Sequence, residues 1–366
     1  MVSWQRRLAL LAATGLVWFG VFEAALRLHG GSEAAPAFQQ LFMPDSAVGH
    51  RLRPGATTRF TTAEFSATIA INAQGVRDDD AIGPKPGGER RVVVLGDSIA
   101  LAVQVDARET FCHLLETRLN RRNDGTRYRV INAGVQGYGP MEEARFFQTV
   151  ASRFEPDLVL VVTFVANDAV EALDRAWRLD DSRPAAVEAQ AAAELRLRRI
   201  VRRSMVLQIV NQRVDQVTER MLPARQPSPD RRLLSYATPL RDDIARGFDQ
   251  AARALRHVAT DAATRGARTA AVLMPARFQL DDADFGRIRG DVTRFGFSID
   301  QDAASRRFSE AYRPLGLPVL DLLTPLRASA DPLAVFFQRT AHLTPLGHAV
   351  AADALARFID ANALLP

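Results

Sequence analysis

Val92, Val93, Val94 and Leu95 form an apolar run that ends abruptly in Gly96, Asp97 and Ser98. No other stretch constrains the fold as much. Four consecutive apolar residues leave the strand no polar face, so it must be covered on both sides, the situation of a central strand in a parallel sheet. Gly96 permits a sharp turn at the strand end. Ser98 then stands at the carboxyl edge of the sheet, where α/β folds bind ligands. A Gly-Asp-Ser turn is also a common way to cap a helix, so its meaning depends on the rest of the chain.

From residue 91 onward apolar strands alternate with helix-prone stretches. Strands are expected at 92–95, 129–132, 157–163, 269–274 and 317–321, and helices near 109–121, 140–152, 241–265 and 345–361. This alternation predicts a parallel sheet with helices on both faces. Residues 170–236 break the pattern. They read as a helical insertion in which Arg196, Arg198, Arg199, Arg202 and Arg203 interleave with leucine, isoleucine and valine. Such a segment is an amphipathic helix with a solvated basic face, or a lid facing anionic lipid or acidic polysaccharide.

Two segments precede this domain. Arg6 and Arg7 are followed by an uncharged run from Leu8 to Phe22, and the apolar character continues past Glu23 to Leu28. Residues 7–28 approach the ~20 residues a membrane span needs. The leading arginines would keep the N-terminus in the cytoplasm and place the rest outside. We read residues 1–28 as a signal anchor, with a cleaved signal peptide or a buried helix as alternatives. Residues 29–88 form an extension. Phe60, Phe65, Ala67, Ile69 and Ile71 alternate loosely, as in short strands, and Asn72, Gly75 and Arg77 mark a turn.

Composition removes several classes of function. The net charge of +5 comes from arginine, since Lys85 is the only lysine, and both signs are interspersed. No basic patch laced with aromatics points to nucleic acid. Cys112 is the only cysteine, so no intrachain disulfide can form. No Cys/His cluster has metal-ligand spacing, so neither metal nor cofactor is expected.

Three more stretches carry potential chemistry. Asn132, Ala133, Gly134, Val135, Gln136, Gly137, Tyr138 and Gly139 follow a strand and precede a helix. Asn167 and Asp168 follow the strand at 157–163, and an asparagine amide there can stabilise an oxyanion. His342 precedes Thr344 and Pro345, the N-cap and first residue of a helix. It therefore lies in a loop, whereas His348 lies one turn inside the helix and reads as structural.

Ser98, Gly134, Asn167 and His342, in this order, resemble the SGNH hydrolases, also called GDSL-type esterases. The likeness covers residues 89–168 and 317–361. The turn of Asn72, Gly75 and Arg77 before Gly-Asp-Ser is similar to that of membrane-anchored bacterial members found with cell-surface polysaccharide genes. The resemblance implies a three-layer αβα sandwich around a five-stranded parallel, flavodoxin-like sheet. It assigns residues 89–366 to the hydrolase-type domain, with the insertion at about 170–236. It implies Ser98 as nucleophile, His342 as general base, and an oxyanion hole from the Ser98 N–H, the Gly134 N–H and the Asn167 side chain. Asp97 is then structural.

One position departs from the family. An aspartate usually stands two or three residues before the histidine, where this chain has Thr340 and Arg339. Three outcomes follow. A Ser-His dyad could have its imidazole oriented by a backbone carbonyl or by Thr340. Asp331 or Asp321 could substitute as the acid. The protein could instead have kept ligand binding and lost hydrolysis. The resemblance implies a periplasmic or extracellular serine esterase on the inner membrane, acting on acyl esters of a carbohydrate. An O-acyltransferase with the same site, a non-catalytic glycan-binding or assembly protein, and a soluble thioesterase or lysophospholipase are the alternatives.

Overall fold

The computed structural model describes residues 13–15, 17–25, 38–175, 204, 206–207 and 230–365. The chain divides into two compact units, one of Met1–Pro36 and Ser182–Ser228, the other of Ala37–Asp181 and Pro229–Pro366. In the first unit, residues 17–25 are helical, and Glu23 Oε2 accepts hydrogen bonds from Ser204 Oγ at 2.7 Å and the Val206 N–H at 3.1 Å. Among the described residues no helix is long and apolar enough to cross a membrane. The span expected over residues 7–28 lies partly outside them, as does most of the arginine-rich helical insertion.

The second unit opens with two antiparallel pairs, β1 (Phe42–Asp45) with β2 (Gly49–Leu52) and β3 (Thr57–Thr61) with β4 (Ser66–Ala70). The central sheet contains β5 (Glu89–Leu95), β6 (Arg127–Asn132), β7 (Leu158–Phe164), β9 (Arg268–Met274) and β11 (Val319–Asp321). A short ribbon pairs β8 (Ala237–Thr238) with β10 (Ser298–Ile299). The sheet is parallel throughout, in the order β11-β9-β7-β5-β6. Counted along the chain this is the flavodoxin-like order 2-1-3-4-5, whose switch point lies between the first and third strands, here β5 and β7.

Side-chain alternation along the strands explains the three layers. On β5, Val93 and Leu95 join Val159 and Val161 of β7 in one core, which is filled out by Met141, Phe146, Phe248 and Phe308. Val92 and Val94 join Leu158, Leu160 and Val162 in the other, against Phe111, Leu115, Ala351 and Leu355. The first core is closed by α3 (Pro140–Thr149), α4 (Asp168–Asp174), α5 (Asp242–Thr264) and α7 (Ala303–Tyr312); the second by α2 (Phe111–Asn120), α8 (Leu323–Arg327) and α9 (Pro345–Ala361). The expected strands and helices are found with ends shifted by a few residues. The helix expected at 140–152 stops at Thr149 and gives way to a separate 3₁₀ turn. Helices also stand where none was expected, among them α6 (Asp282–Thr293), α7 and the short α8. Leu41, Val48, Leu52, Ile69, Ile71 and Val76 of the front extension are buried in the first core.

Candidate active site

Ser98 begins α1 (Ser98–Leu101), a four-residue helix launched directly from β5. Asp97 caps it, its Oδ1 accepting from the Ile99 N–H at 2.8 Å. The Asp97 carboxyl is fully enclosed, and burial pushes its pKa up to about 6. Asp97 thus serves as the N-cap of this helix, a structural role.

His342 reaches Ser98 across the switch point, with Nε2 and Ser98 Oγ 3.0 Å apart. On the other side of the ring, Nδ1 lies 2.7 Å from the Thr340 carbonyl oxygen. A carbonyl can only accept, so Nδ1 must carry the proton of the neutral imidazole, leaving Nε2 with its lone pair toward the serine hydroxyl. That is the tautomer a general base requires. Burial lowers the His342 pKa, and the Thr340 carbonyl partly offsets this. The uncharged ring therefore predominates near neutral pH.

The histidine loop is a small closed structure. The Phe337 N–H donates to His342 O at 2.8 Å and the Thr344 N–H to Val335 O at 3.0 Å. Ala341 adopts φ +53°, a left-handed conformation uncommon for a residue with a Cβ. That bend lets the carbonyl two residues upstream fold back onto the ring. Backbone strain of this kind persists where surrounding contacts over-determine it.

The structure brings neither Asp331 nor Asp321 to the imidazole, because each caps its own turn. Asp331 Oδ1 accepts from the Ala334 N–H at 3.1 Å, and Asp321 Oδ1 from the Leu323 N–H at 2.9 Å. Thr340 contributes its carbonyl, while its buried hydroxyl has no hydrogen-bond partner among the described residues. His348 is enclosed, accepts from the Phe111 N–H at Nδ1 and stacks on the Phe111 ring. Burial pushes its pKa down to about 3, so it is a neutral packing residue, as expected.

The three expected oxyanion donors sit at the carboxyl ends of β5, β6 and β7, but two are already engaged. The Gly134 N–H donates to Asn132 Oδ1 at 3.0 Å. One Asn167 amide hydrogen goes to Glu171 Oε1 at 3.1 Å, and the amide also contacts the Asp97 carboxyl. A Cβ on Gly134 would stand 2.5 Å from the Leu101 nitrogen, so glycine is required there by the close approach of this loop to α1. Asn132, to which the sequence reading assigned no role, stitches the two together by donating from Nδ2 to Ala100 O at 2.7 Å. Its place at a strand end, two residues before a glycine, was the available signal.

Among the described residues no cluster of histidine, cysteine, aspartate or glutamate could hold a metal ion. The arrangement of Ser98 and His342 is suited to nucleophilic chemistry at Ser98.

Residues 235–366, which contain His342 but not Ser98, Gly134 or Asn167, match the model of a family described as SGNH hydrolase-like domain, acetyltransferase AlgX. No curated protein matches significantly. Among solved structures the chain is similar to TesA (14% identity, TM-score 0.42), with 75% of this chain and all of that one covered. It is likewise similar to a lipase/acylhydrolase from Enterococcus faecalis (12%, TM-score 0.41), covering 75% of this chain and 96% of that. The same holds for a catalytic mutant of the acetylxylan esterase Axe2 from Geobacillus stearothermophilus (13%, TM-score 0.40), with 75% and 96% covered.

Proposed function

We propose, from the premise that the chain belongs to the SGNH hydrolase family, that it is a serine esterase that cleaves acyl esters through an acyl-Ser98 intermediate. The observation that carries this reading is the relay from the Thr340 carbonyl through His342 to Ser98 Oγ, with both contacts at hydrogen-bond distance. A serine hydroxyl is a weak nucleophile until an adjacent base takes its proton.

In the first half-reaction Ser98 Oγ attacks the ester carbonyl carbon while its proton passes to His342 Nε2. The carbonyl π pair becomes an oxyanion. The Ser98 N–H, the Gly134 N–H and the Asn167 amide are the donors that would receive it, with Gly134 sharing its bond to Asn132 and Asn167 giving up or sharing its bonds to Glu171 and Asp97. Removing one such donor costs roughly 2.7–4 kcal/mol of transition-state stabilisation. The intermediate collapses by breaking the bond to the alkoxide, which takes the proton from His342 Nε2. Water then attacks the acyl-serine with His342 as base, releasing the acid and restoring Ser98.

The matched family's description names an acetyltransferase, which favours a second reading at the same site. A sugar hydroxyl would replace water in the second half-reaction, and the acyl group would pass to it. One similar solved structure is an acetylxylan esterase, which agrees with an acylated carbohydrate as the donor or the product. The exposed side chains of Val17, Trp18, Val21 and Phe22 on the helical residues 17–25 favour the N-terminal segment as a bilayer anchor. The site would then face the periplasm or the cell exterior.

Fluorophosphonate labelling of the full chain, with the modified peptide identified by mass spectrometry, tests the central claim. We expect a label on Ser98 that is absent in Ser98→Ala and lost or strongly slowed in His342→Ala. A folded protein that takes no label would favour the ligand-binding alternative. Product analysis with an aryl acetate, with and without added oligosaccharide, separates hydrolysis from transfer.

A further inference from the structure

The front extension touches three of the four loops that carry a candidate catalytic group, those of Ser98, Gly134 and His342, by contacts that the proposed chemistry leaves unexplained. Arg77 is the deepest of these. Its side chain is 3% exposed and makes no ion pair among the described residues. Its Nη1 donates to Leu101 O at 2.6 Å and also to Ala102 O, and its Nη2 donates to Val105 O at 2.5 Å. Leu101 ends the helix that Ser98 begins, and the Ala102 N–H closes the same turn onto Ser98 O at 2.8 Å. A four-residue helix cannot hold its own geometry in isolation. Here its carbonyl end is gripped by a buried guanidinium, whose charge suits the negative end of the helix. Burial brings the Arg77 pKa down to about 10, which leaves the group protonated at neutral pH.

A second contact falls on the histidine loop. Glu64, in the turn between β3 and β4, accepts the Arg339 N–H at 2.9 and 3.0 Å with its two carboxylate oxygens. Beside it Phe65 packs on Phe337, with ring centroids 5.6 Å apart. Arg339 immediately precedes Thr340, whose carbonyl orients His342. A third contact reaches the glycine loop, where His50 Nε2 lies 2.8 Å from Gln136 O. Three loops separated by long stretches of chain are thus tied to one small β structure that carries no candidate catalytic residue.

We propose that residues 38–77 brace the Ser98–His342 pair, with Arg77 the positioning residue for the nucleophile and Glu64 the positioning residue for the imidazole. This rests on the dyad reading above. Neither side chain would touch substrate. Arg77 sets where Ser98 Oγ sits by fixing the helix behind it. Glu64 holds the backbone so that the Thr340 carbonyl stays on His342 Nδ1, and so takes part of the orienting task of the missing aspartate from outside the loop.

The test uses the full chain and reads the rate of Ser98 phosphonylation, kcat and KM for an aryl acetate, and thermal unfolding. Glu64→Ala is expected to slow labelling and lower kcat at least tenfold, leaving KM within twofold and the unfolding temperature nearly unchanged. Glu64→Gln, which keeps a carbonyl oxygen for the Arg339 N–H, should recover most of the rate. The pH midpoint of labelling should fall in Glu64→Ala, because the Thr340 carbonyl that supports protonation of His342 is loosened. Arg77→Lys should lower kcat with KM unchanged, and Arg77→Met should lower it further or fail to fold. Wild-type labelling in both Glu64→Ala and Arg77→Lys would overturn the proposal. So would equal loss in Glu64→Ala and Glu64→Gln, or proportional loss of rate and thermal stability. Labelling that is unaffected by Ser98→Ala and His342→Ala would instead refute the dyad itself.

Discussion

At His342 Nδ1 the partner is a carbonyl oxygen, where the family pattern would place a carboxylate. The difference is chemical as well as geometric. A carbonyl fixes the tautomer as well as a carboxylate does, but it offers a dipole in place of a full charge to the imidazolium formed during attack. Replacing the carboxylate of a Ser-His-Asp triad by its amide lowers kcat by ~10⁴, largely through the wrong tautomer. Here the tautomer is correct, so only the charge contribution is reduced. The arrangement depends on the left-handed backbone at Ala341. Glycine adopts that conformation freely, and a β-branched residue resists it. Ala341→Gly should keep the labelling rate within about threefold, and Ala341→Val should lower it by about tenfold or more. Equal rates in the two variants would separate the Thr340 carbonyl from catalysis.

Helices α3 and α4 turn carboxyl groups inward, behind Asn167. Glu142, Glu143 and Asp168 are all buried, and Arg175 lies 3.4 Å from Glu142 and 3.3 Å from the neighbouring Glu171. Glu143 Oε1 and Asp168 Oδ1 have no hydrogen-bond partner among the described residues. Burial, reinforced by neighbouring carboxylates, raises the pKa of both groups well above the ordinary range. Burial likewise brings Glu171, which holds the Asn167 amide, up to about 7. The sign of the stability effect follows from linkage. A group whose pKa is raised on folding contributes most below its unfolded value, here near 4.5 for Glu143, and that contribution is lost as pH rises through the folded value. Glu143→Gln cannot ionise. Its unfolding temperature should therefore fall less between pH 5 and pH 8 than that of the wild type, as measured by calorimetry. An identical fall in both would mean that Glu143 is already ionised in the folded protein.

Across the whole molecule, the sheet order places the ends of β5 and β7 side by side where the helices diverge to opposite faces, which opens the crevice that Ser98 and Asn167 border. The return of α9 to the second face brings the loop before it, with His342, over the same crevice. The extension closes one flank and shares the first core, so the unit that would carry catalysis includes residues 38–88 as well as the sheet domain. Membrane attachment belongs to this scale too. If residues 1–28 anchor the protein, deleting them should move it from carbonate-washed membranes to the soluble fraction with Ser98 labelling intact. Retention in the washed membranes would transfer the anchoring role elsewhere.

The sequence by itself determined the sheet, because continuous apolar runs such as Val92 to Leu95 have only one stable setting, covered on both faces. It also pointed to Ser98, Gly134, Asn167 and His342, since each sits where a strand ends or a helix begins and such boundaries carry side-chain signals. Helix α6 escaped because its apolar residues are few, with Phe285 and Ile288 only half-buried beside the buried Val292, and α7 because its inward face is built partly from Ala303, Ala304 and Ser305, small residues that signal a buried face weakly. Only the tertiary structure showed how the histidine is held. The acceptor at Nδ1 is a backbone oxygen, which every residue type possesses, so no side chain reveals it. Glu64 and Arg339 are far apart in the chain, and Arg77 acts through carbonyls beyond Ser98. Bonds between a side chain and a distant backbone leave no periodicity or spacing in a sequence; they exist only once the fold has brought the partners together.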